Sequence, residues 1–140
     1  MKCDIRHDCS GVDWNAIANT LKSAGMAHHE PERHQKAFEA SHTTVFIYQA
    51  DQLIGFGRAI SDGIYQAAVY DCAVGPEFQG QGIGTMIMRE ILDALPDCNV
   101  ILYASPGKEG FYQQLGFRRM KTGMARFRNS DAMRARGFTD

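Results

Sequence analysis

The sequence predicts an α/β fold of the α+β type, with helices on both faces of a mostly antiparallel, twisted mixed sheet of six to seven strands. Three β-rich runs joined by short turns predict consecutive hairpins. A glycine-rich turn then leads into an amphipathic helix, and a continuous apolar run follows that helix, as a parallel crossover requires. We expect residues 1–140 to form one domain, with residues 129–140 as a dispensable tail.

The amino-terminal third predicts a short edge strand and two helices. Residues 2–6 favour the strand, and the segment Ser10-Gly11-Val12-Asp13 is typical of a capping box that starts a helix ending near Ala24. Pro31 is placed to open a second, more polar helix that runs to about Ala40. We expect both helices to cover one face of the sheet.

The middle and carboxyl-terminal parts predict the rest of the sheet. The three β-rich runs cover residues 43–49, 53–60 and about 64–74. Residues 100–104 form the continuous apolar run, which is typical of a central parallel strand. A short helix is expected to carry Phe111 and Tyr112. The last two strands are predicted at 117–120 and 124–128.

The turn between the third β-rich run and the helix contains Gly80, Gly82 and Gly84. Without side chains there, the amide groups that open the helix can face a ligand, and such helix starts attract phosphate. The alternative is that the glycines only let the helix pack close to the sheet. The alternating spacing is not the dinucleotide-binding pattern, and Gly84-Thr85 lacks the lysine of a P-loop.

Two motifs carry a family resemblance. The segment Gln79-Gly80-Gln81-Gly82-Ile83-Gly84 resembles the acetyl-CoA signature of the GNAT superfamily of N-acetyltransferases, Gln/Arg-x-x-Gly-x-Gly/Ala. Residues 110–117, Gly-Phe-Tyr-Gln-Gln-Leu-Gly-Phe, look like the family's Phe-Tyr-x-x-Leu-Gly-Phe element. The resemblance covers roughly residues 43–128, and the two motifs occur in the family's order.

The resemblance implies a GNAT-like fold and an enzyme that uses acetyl-CoA as a co-substrate, with no metal. It also implies that the strand at 72–74 parts from the strand at 100–104, so that freed backbone groups can pair with the pantetheine arm. Ser105 stands where many relatives carry an asparagine that bonds this arm, and serine has a shorter reach. The implied acetyl-CoA contacts are Cys72, Ala73, Val74, Gln79, Gly80, Gln81, Gly82, Ile83, Gly84, Thr85, Ser105, Gly110 and Phe111.

Three residues are candidates for the chemistry. Tyr112 matches the family tyrosine that protonates the leaving thiolate, and the alternative is a packing aromatic on a helix. Tyr70 stands where several relatives carry an acidic residue or a histidine that handles the amine proton. Strand alternation predicts Tyr70, Cys72 and Val74 on one face and Asp71 on the other. Asp71 is then either a base acting through water if the strand bulges, or a structural carboxylate.

The acceptor is expected to be a primary amine of a small molecule, such as an amino sugar, a polyamine or an arylalkylamine. Protein amino-terminal or lysine acetylation and a non-catalytic acetyl-CoA-binding module are the alternatives. His28, His29 and Phe38 are candidate acceptor contacts, because in the family this region borders the acceptor pocket. His29 and His34 lack the spacing that puts two imidazoles on one helical face, so no metal site is expected.

Composition excludes other classes. The net charge of −1 gives no general attraction for nucleic acid, and we expect the carboxyl-terminal arginines to form a solvated basic edge and not a nucleic-acid patch. No apolar run approaches the roughly 20 residues of a membrane span. Four scattered cysteines predict reduced, mostly buried thiols, and a cytoplasmic location is expected. Exposed sheet edges permit a homodimer.

Overall fold

The structure, a computed structural model, describes residues 2–140 and divides into two compact units. The first unit ends at Leu102 and contains a five-stranded sheet with three α-helices. The second runs from Tyr103 to Asp140. The strands of the sheet, in chain order and also in spatial order, are β1 (Asp4–Arg6), β2 (Thr43–Gln49), β3 (Gln52–Ser61), β4 (Gln66–Val74) and β5 (Asn99–Ile101).

The sheet confirms the predicted hairpins and the crossover. β2, β3 and β4 pair antiparallel, with Phe56 of β3 opposite Phe46 on one side and Ala73 on the other. β5 pairs parallel to β4, with Gln66 opposite Asn99. The expected central position of the last apolar run is wrong, because β5 has three residues and is the edge strand of the described sheet.

The helices of the first unit are α1 (Trp14–Ser23), α2 (Pro31–Glu39) and α3 (Ile83–Asp93). Pro31 opens α2 as predicted, but α1 begins later than the proposed capping box. Its cap is Asp13, whose Oδ1 accepts hydrogen bonds from the amides of Asn15 at 3.0 Å and Ala16 at 3.3 Å. The chain enters this helix late because Gly11, at φ +68°, first makes a turn. No helix in residues 2–140 is long and apolar enough to cross a membrane.

Helices cover both faces of the sheet, as predicted. On one face, α1 and α2 enclose a core centred on Phe38 of α2. On the other face, Ile83 and Ile87 of α3 approach the glycines of β3. The core of the first face consists of Val12, Ile17, Leu21, Phe38, Phe46, Tyr48, Phe56 and Ala73.

The second unit has two short helices, α4 (Glu109–Gln114) and α5 (Ser130–Ala135). The strands predicted at 117–120 and 124–128 are not formed, which accounts for five strands where six to seven were predicted. An extended run becomes a strand only when a neighbouring backbone satisfies its hydrogen bonds, and local pattern does not supply that neighbour. The expected tail contains α5, capped by Asn129, which accepts from the Ala132 amide at 3.1 Å.

Candidate functional site

The glycine-rich turn lies between β4 and α3 and is open to solvent at residues 79–82. Gly80 and Gly82 have φ values of +76° and +83°, and Gly82 is the left-handed N-cap of α3. A Cβ at either position would meet no atom within 4 Å. Gly82 has no side chain to cap the helix, so the first amide groups have no side-chain cap. These amides and the positive end of the helix dipole favour an anion.

Two glutamines brace this turn. Gln79 donates from Nε2 to the Val74 carbonyl at 3.2 Å, and Gln81 donates to the Glu77 carbonyl at 3.4 Å. A 3₁₀ turn at Pro76–Phe78 connects the strand to the glycines. The side chains of Gln79 and Gln81 are thus used to hold the loop, which leaves the backbone as the part of the turn that can bind a ligand.

The carboxyl-terminal half of β4 extends beyond its pairing with β5. The parallel ladder joins residues 66–68 to residues 99–101, whereas β4 continues to Val74. This early end of the ladder agrees with the strand separation that the resemblance implied. Cys72, Ala73 and Val74 lie in this half of β4, next to the glycine turn.

A β-bulge interrupts β4 at Asp71 and Cys72. Tyr70 pairs with Arg58 and Ala73 with Phe56, so two residues of β4 lie opposite the single residue Gly57. Asp71 has a φ of +55°, in the left-handed region. The bulge overturns the predicted alternation, because Tyr70 and Asp71 both contact Arg58 on the face of Phe38, whereas Cys72 points toward α3.

The carboxylate of Asp71 is paired. Its Oδ2 accepts a hydrogen bond from Arg58 Nε at 2.8 Å, and the two side chains are only 23% and 15% exposed. Arg58 Cζ lies over the rings of Phe38 and Tyr70, at 5.7 and 5.5 Å from their centres. Of the two roles predicted for Asp71, this geometry favours the structural carboxylate.

The Cys72 thiol is enclosed between the sheet and α3, with Sγ at 3.7 Å from Met88 Sδ. Burial, with a smaller contribution from the nearby Asp71 charge, raises the pKa of this thiol to about 12. At neutral pH the thiol is therefore protonated and is not a nucleophile for a covalent acetyl-enzyme.

Of the three predicted acceptor contacts, two are exposed on the surface and one is buried in the core. His28 and His29 are exposed in the loop before α2. Phe38 is 1% exposed and packs against Trp14 and Phe46, so the structure makes it a core aromatic in place of an acceptor contact.

His34 is buried and was missed as a structural residue. Its Nε2 accepts a hydrogen bond from the His29 amide at 2.8 Å, and burial lowers its pKa. The neutral ring therefore ties α2 to the loop before it. Its position five residues after His29 gave no signal for this contact.

The remaining predicted residues belong to the second unit. Phe111 and Tyr112 lie on α4, as predicted, with ring centres 5.0 Å apart, and Phe117 packs edge-on against Tyr112. Gly110 lies in the first turn of this helix, where a Cβ would meet no atom within 4 Å. The Ser105 carbonyl accepts from the Lys108 amide at 2.9 Å in the loop before it.

Arg58 is the other residue that sequence reasoning missed. A charged side chain between Gly57 and Ala59 in an otherwise apolar strand was the available signal, since such residues are rarely buried without a partner. Across residues 2–140, no three His, Cys, Asp or Glu side chains are grouped so that they could hold a metal ion.

Comparison with known proteins identifies a matching family and related acetyltransferases. Residues 12–129 match the family model described as acetyltransferase (GNAT) domain. The chloroplastic serotonin N-acetyltransferase 2 of Oryza sativa subsp. japonica is 32% identical in an alignment of length 120, which covers 81% of this chain and 60% of that protein. The chain therefore spans about 60% of the length of this curated relative.

Two solved structures are similar in fold. A probable acetyltransferase from meticillin-resistant Staphylococcus aureus is 27% identical, with a TM-score of 0.77 over 90% of this chain and 99% of that one. N-acetylglutamate synthase from Neisseria gonorrhoeae, solved with coenzyme A and N-acetyl-glutamate, is 17% identical. Its TM-score is 0.73, over 99% of this chain and 33% of that one. With the turn, the sheet and the family match in agreement, the chain belongs to the GNAT acetyltransferase family.

Proposed function

We propose that this chain transfers acetyl from acetyl-CoA to a primary amine of a small molecule, by direct attack in a ternary complex. The observation that carries the proposal is the uncapped start of α3 behind the left-handed Gly82, in a family that uses acetyl-CoA. An open, glycine-lined helix start suits a pyrophosphate, which needs close backbone donors. The protonated Cys72 thiol supports direct attack over an acetyl-cysteine intermediate.

The first unit has groups suited to both ends of acetyl-CoA. The amides that open α3, at Ile83, Gly84 and Thr85, would hold the pyrophosphate. The amides of Cys72 to Val74, beyond the end of the β4–β5 ladder, would pair with the pantetheine arm and polarise the thioester carbonyl. A single preorganised donor of this kind contributes about 3 kcal/mol to the stabilisation of an oxyanion. Ser105, Gly110 and Phe111 are proposed contacts from the second unit.

The reaction proceeds through attack by the neutral amine. Its nitrogen lone pair forms a bond to the thioester carbon, the C–S bond breaks, and the thiolate leaves with the electron pair. Tyr112 is proposed to protonate that thiolate. The extra proton on the nitrogen of the tetrahedral intermediate passes to water, because the Arg58 pairing leaves Asp71 poorly placed as a base.

An arylalkylamine is the first acceptor to test. The support is the rice relative, which is named for serotonin and is 32% identical to this chain. The exposed His28 and His29 remain proposed acceptor contacts.

The test is a free-thiol release assay with acetyl-CoA against serotonin, other arylalkylamines, amino sugars, polyamines and a lysine-rich peptide. It is paired with a thermal shift on acetyl-CoA alone. Turnover on a small amine would support the proposal. Turnover on the peptide alone would contradict a small-molecule acceptor and indicate a protein acceptor. A thermal shift without turnover on any acceptor would indicate a binding module, and the absence of both signals would contradict the glycine turn as the acetyl-CoA site.

A further inference from the structure

The bulge in β4 is fixed from both faces of the sheet. Asp71 adopts a left-handed backbone, a conformation that costs a non-glycine residue energy and persists only when its surroundings hold it. Aspartate is among the residues that tolerate this conformation best. Something in the packing must therefore hold the carboxylate and the following cysteine in place.

On the α1/α2 face, Arg58 holds the Asp71 side chain. Arg58 Nε donates to Asp71 Oδ2 at 2.8 Å, and a terminal guanidinium nitrogen donates to Ser41 Oγ at 3.3 Å. The side chain of Ser41 in turn donates to the Ala37 carbonyl at 2.7 Å. This chain of hydrogen bonds ties the bulge to the end of α2, and Arg58 Cζ also lies over the rings of Phe38 and Tyr70.

On the α3 face, Gly57 makes room for Cys72. A Cβ at Gly57 would lie 2.6 Å from Cys72 Sγ and 2.9 Å from Ile87 Cγ2, so no larger residue fits without displacement. The thiol occupies that space beside Met88. The two residues of the bulge, Asp71 and Cys72, are thus anchored in opposite directions, one by an ion pair and the other by packing.

We propose that Arg58 is a positioning residue that holds the Asp71–Cys72 bulge and thereby aims the amides of Cys72 and Ala73, with Asp71 serving as its anchor and not as the base. The inference rests on the proposed function, because those amides are the groups proposed to polarise the thioester. The bulge sets their direction, since it rotates the peptide units that follow Asp71 relative to a regular strand. Loss of the anchor should therefore affect turnover more than acetyl-CoA binding, which the separate glycine turn provides.

The kinetic test compares Arg58→Gln with Arg6→Gln. Arg6 is a matched control, because it also bonds an aspartate, Asp4, at 3.0 Å and stacks on a tyrosine, Tyr48, but does so on the exposed strand β1. We expect Arg58→Gln to lower kcat about 30-fold or more with the KM for acetyl-CoA within about threefold, and Arg6→Gln to leave both within about twofold. An Arg58→Gln enzyme with unchanged kcat would overturn the proposal.

The Asp71→Asn variant distinguishes an anchoring role of Asp71 from a role as the catalytic base. Asparagine tolerates the left-handed backbone and still accepts from Arg58, so kcat should stay within about tenfold of wild type, with an unchanged pH profile of kcat/KM. Loss of about 100-fold or more together with the disappearance of one ionisation would make Asp71 the base and overturn its anchoring role.

Amide NMR needs no turnover, so it tests the anchoring role of Arg58 independently of the proposed function. Amide NMR of residues 70–74 should shift strongly in Arg58→Gln and stay unchanged in Arg6→Gln. Arg58→Lys, which keeps the charge but loses the Nε donor, replaces Arg58→Gln if that variant does not fold. Unshifted amides would overturn the anchoring role even in an active enzyme. Shifted amides in a protein that transfers no acetyl group would retain the anchor and reject the proposed function.

Discussion

The chain uses pairs of glycines in two regions for opposite reasons. In the turn before α3, Gly80 and Gly82 have open space around them but adopt positive φ. In β3, Gly55 and Gly57 have no such backbone angle, yet a Cβ at either would lie within 3 Å of a side-chain atom. The turn needs glycine for backbone angle and ligand access, and the strand needs it because α3 packs directly on the sheet.

The largest expected effect is on stability, from filling the strand. Gly57→Val should lower the free energy of unfolding by about 3 kcal/mol or more, because the new side chain must displace Cys72 and Ile87. Urea denaturation followed by circular dichroism measures it. Gly110→Ala is the control, since its Cβ enters open space and should change stability by less than about 0.5 kcal/mol. Equal losses in the two variants would contradict the packing explanation.

Gly82→Asp should have its main effect on binding. The carboxylate adds bulk and negative charge where phosphate is proposed to lie, so the affinity for acetyl-CoA should fall at least 100-fold, about 2.7 kcal/mol. Folding should lose only about 1 kcal/mol, the cost of a non-glycine residue at φ +83°. Isothermal titration calorimetry and denaturation measure the two quantities. Gly82→Ala, which adds a small side chain but no charge, should bind more tightly than Gly82→Asp, and retained affinity in Gly82→Asp would count against the turn.

Tyr112→Phe should separate binding from chemistry. If the open turn provides cofactor affinity and the tyrosine only protonates the thiolate, kcat should fall about 100-fold while the affinity for acetyl-CoA stays within about twofold. Steady-state kinetics and calorimetry on the same preparation test this. Unchanged turnover would remove the general-acid role from Tyr112.

The smallest expected effect is on the pH dependence of stability, through the buried His34. Burial lowers the pKa of His34 below its ordinary value of 6.5, so its contribution to stability is complete above that pH and is lost as the pH falls toward the lowered folded value. The slope from this single group is at most about 1.4 kcal/mol per pH unit. In His34→Gln, the plot of unfolding free energy against pH should lack this part of the slope. Urea denaturation of wild type and variant at a series of pH values measures it.

His28→Gln is a weaker companion variant, because the charge of His28 makes only a small contribution to the lowered pKa of His34, so its removal should change the slope less than His34→Gln does. The glycine turn at residues 79–85 has no ionisable side chain, so it adds no such dependence of its own. An identical slope in wild type and His34→Gln would show that folding does not change the pKa of His34, and would contradict the effect of burial.

Local pattern was enough for much of the first unit. The run at 43–49 became β2 at Thr43–Gln49, and Pro31 opened α2 where predicted. These elements follow from β-branched and aromatic residues and from the fixed φ of proline, which act within a few residues of chain. The glycine turn was located for the same reason, although whether its amides hold phosphate stays a prediction.

In the first unit, the sequence by itself determined which segments become helices, hairpins and the turn, because those depend on neighbouring residues. Only the tertiary structure decided that β5 is an edge strand of the described sheet and that β4 bulges at Asp71. The ion pair of Arg58 with Asp71 joins residues 13 positions apart across two strands. Strand register sets that distance, and register is fixed by packing on both faces of the sheet, which a local pattern does not contain.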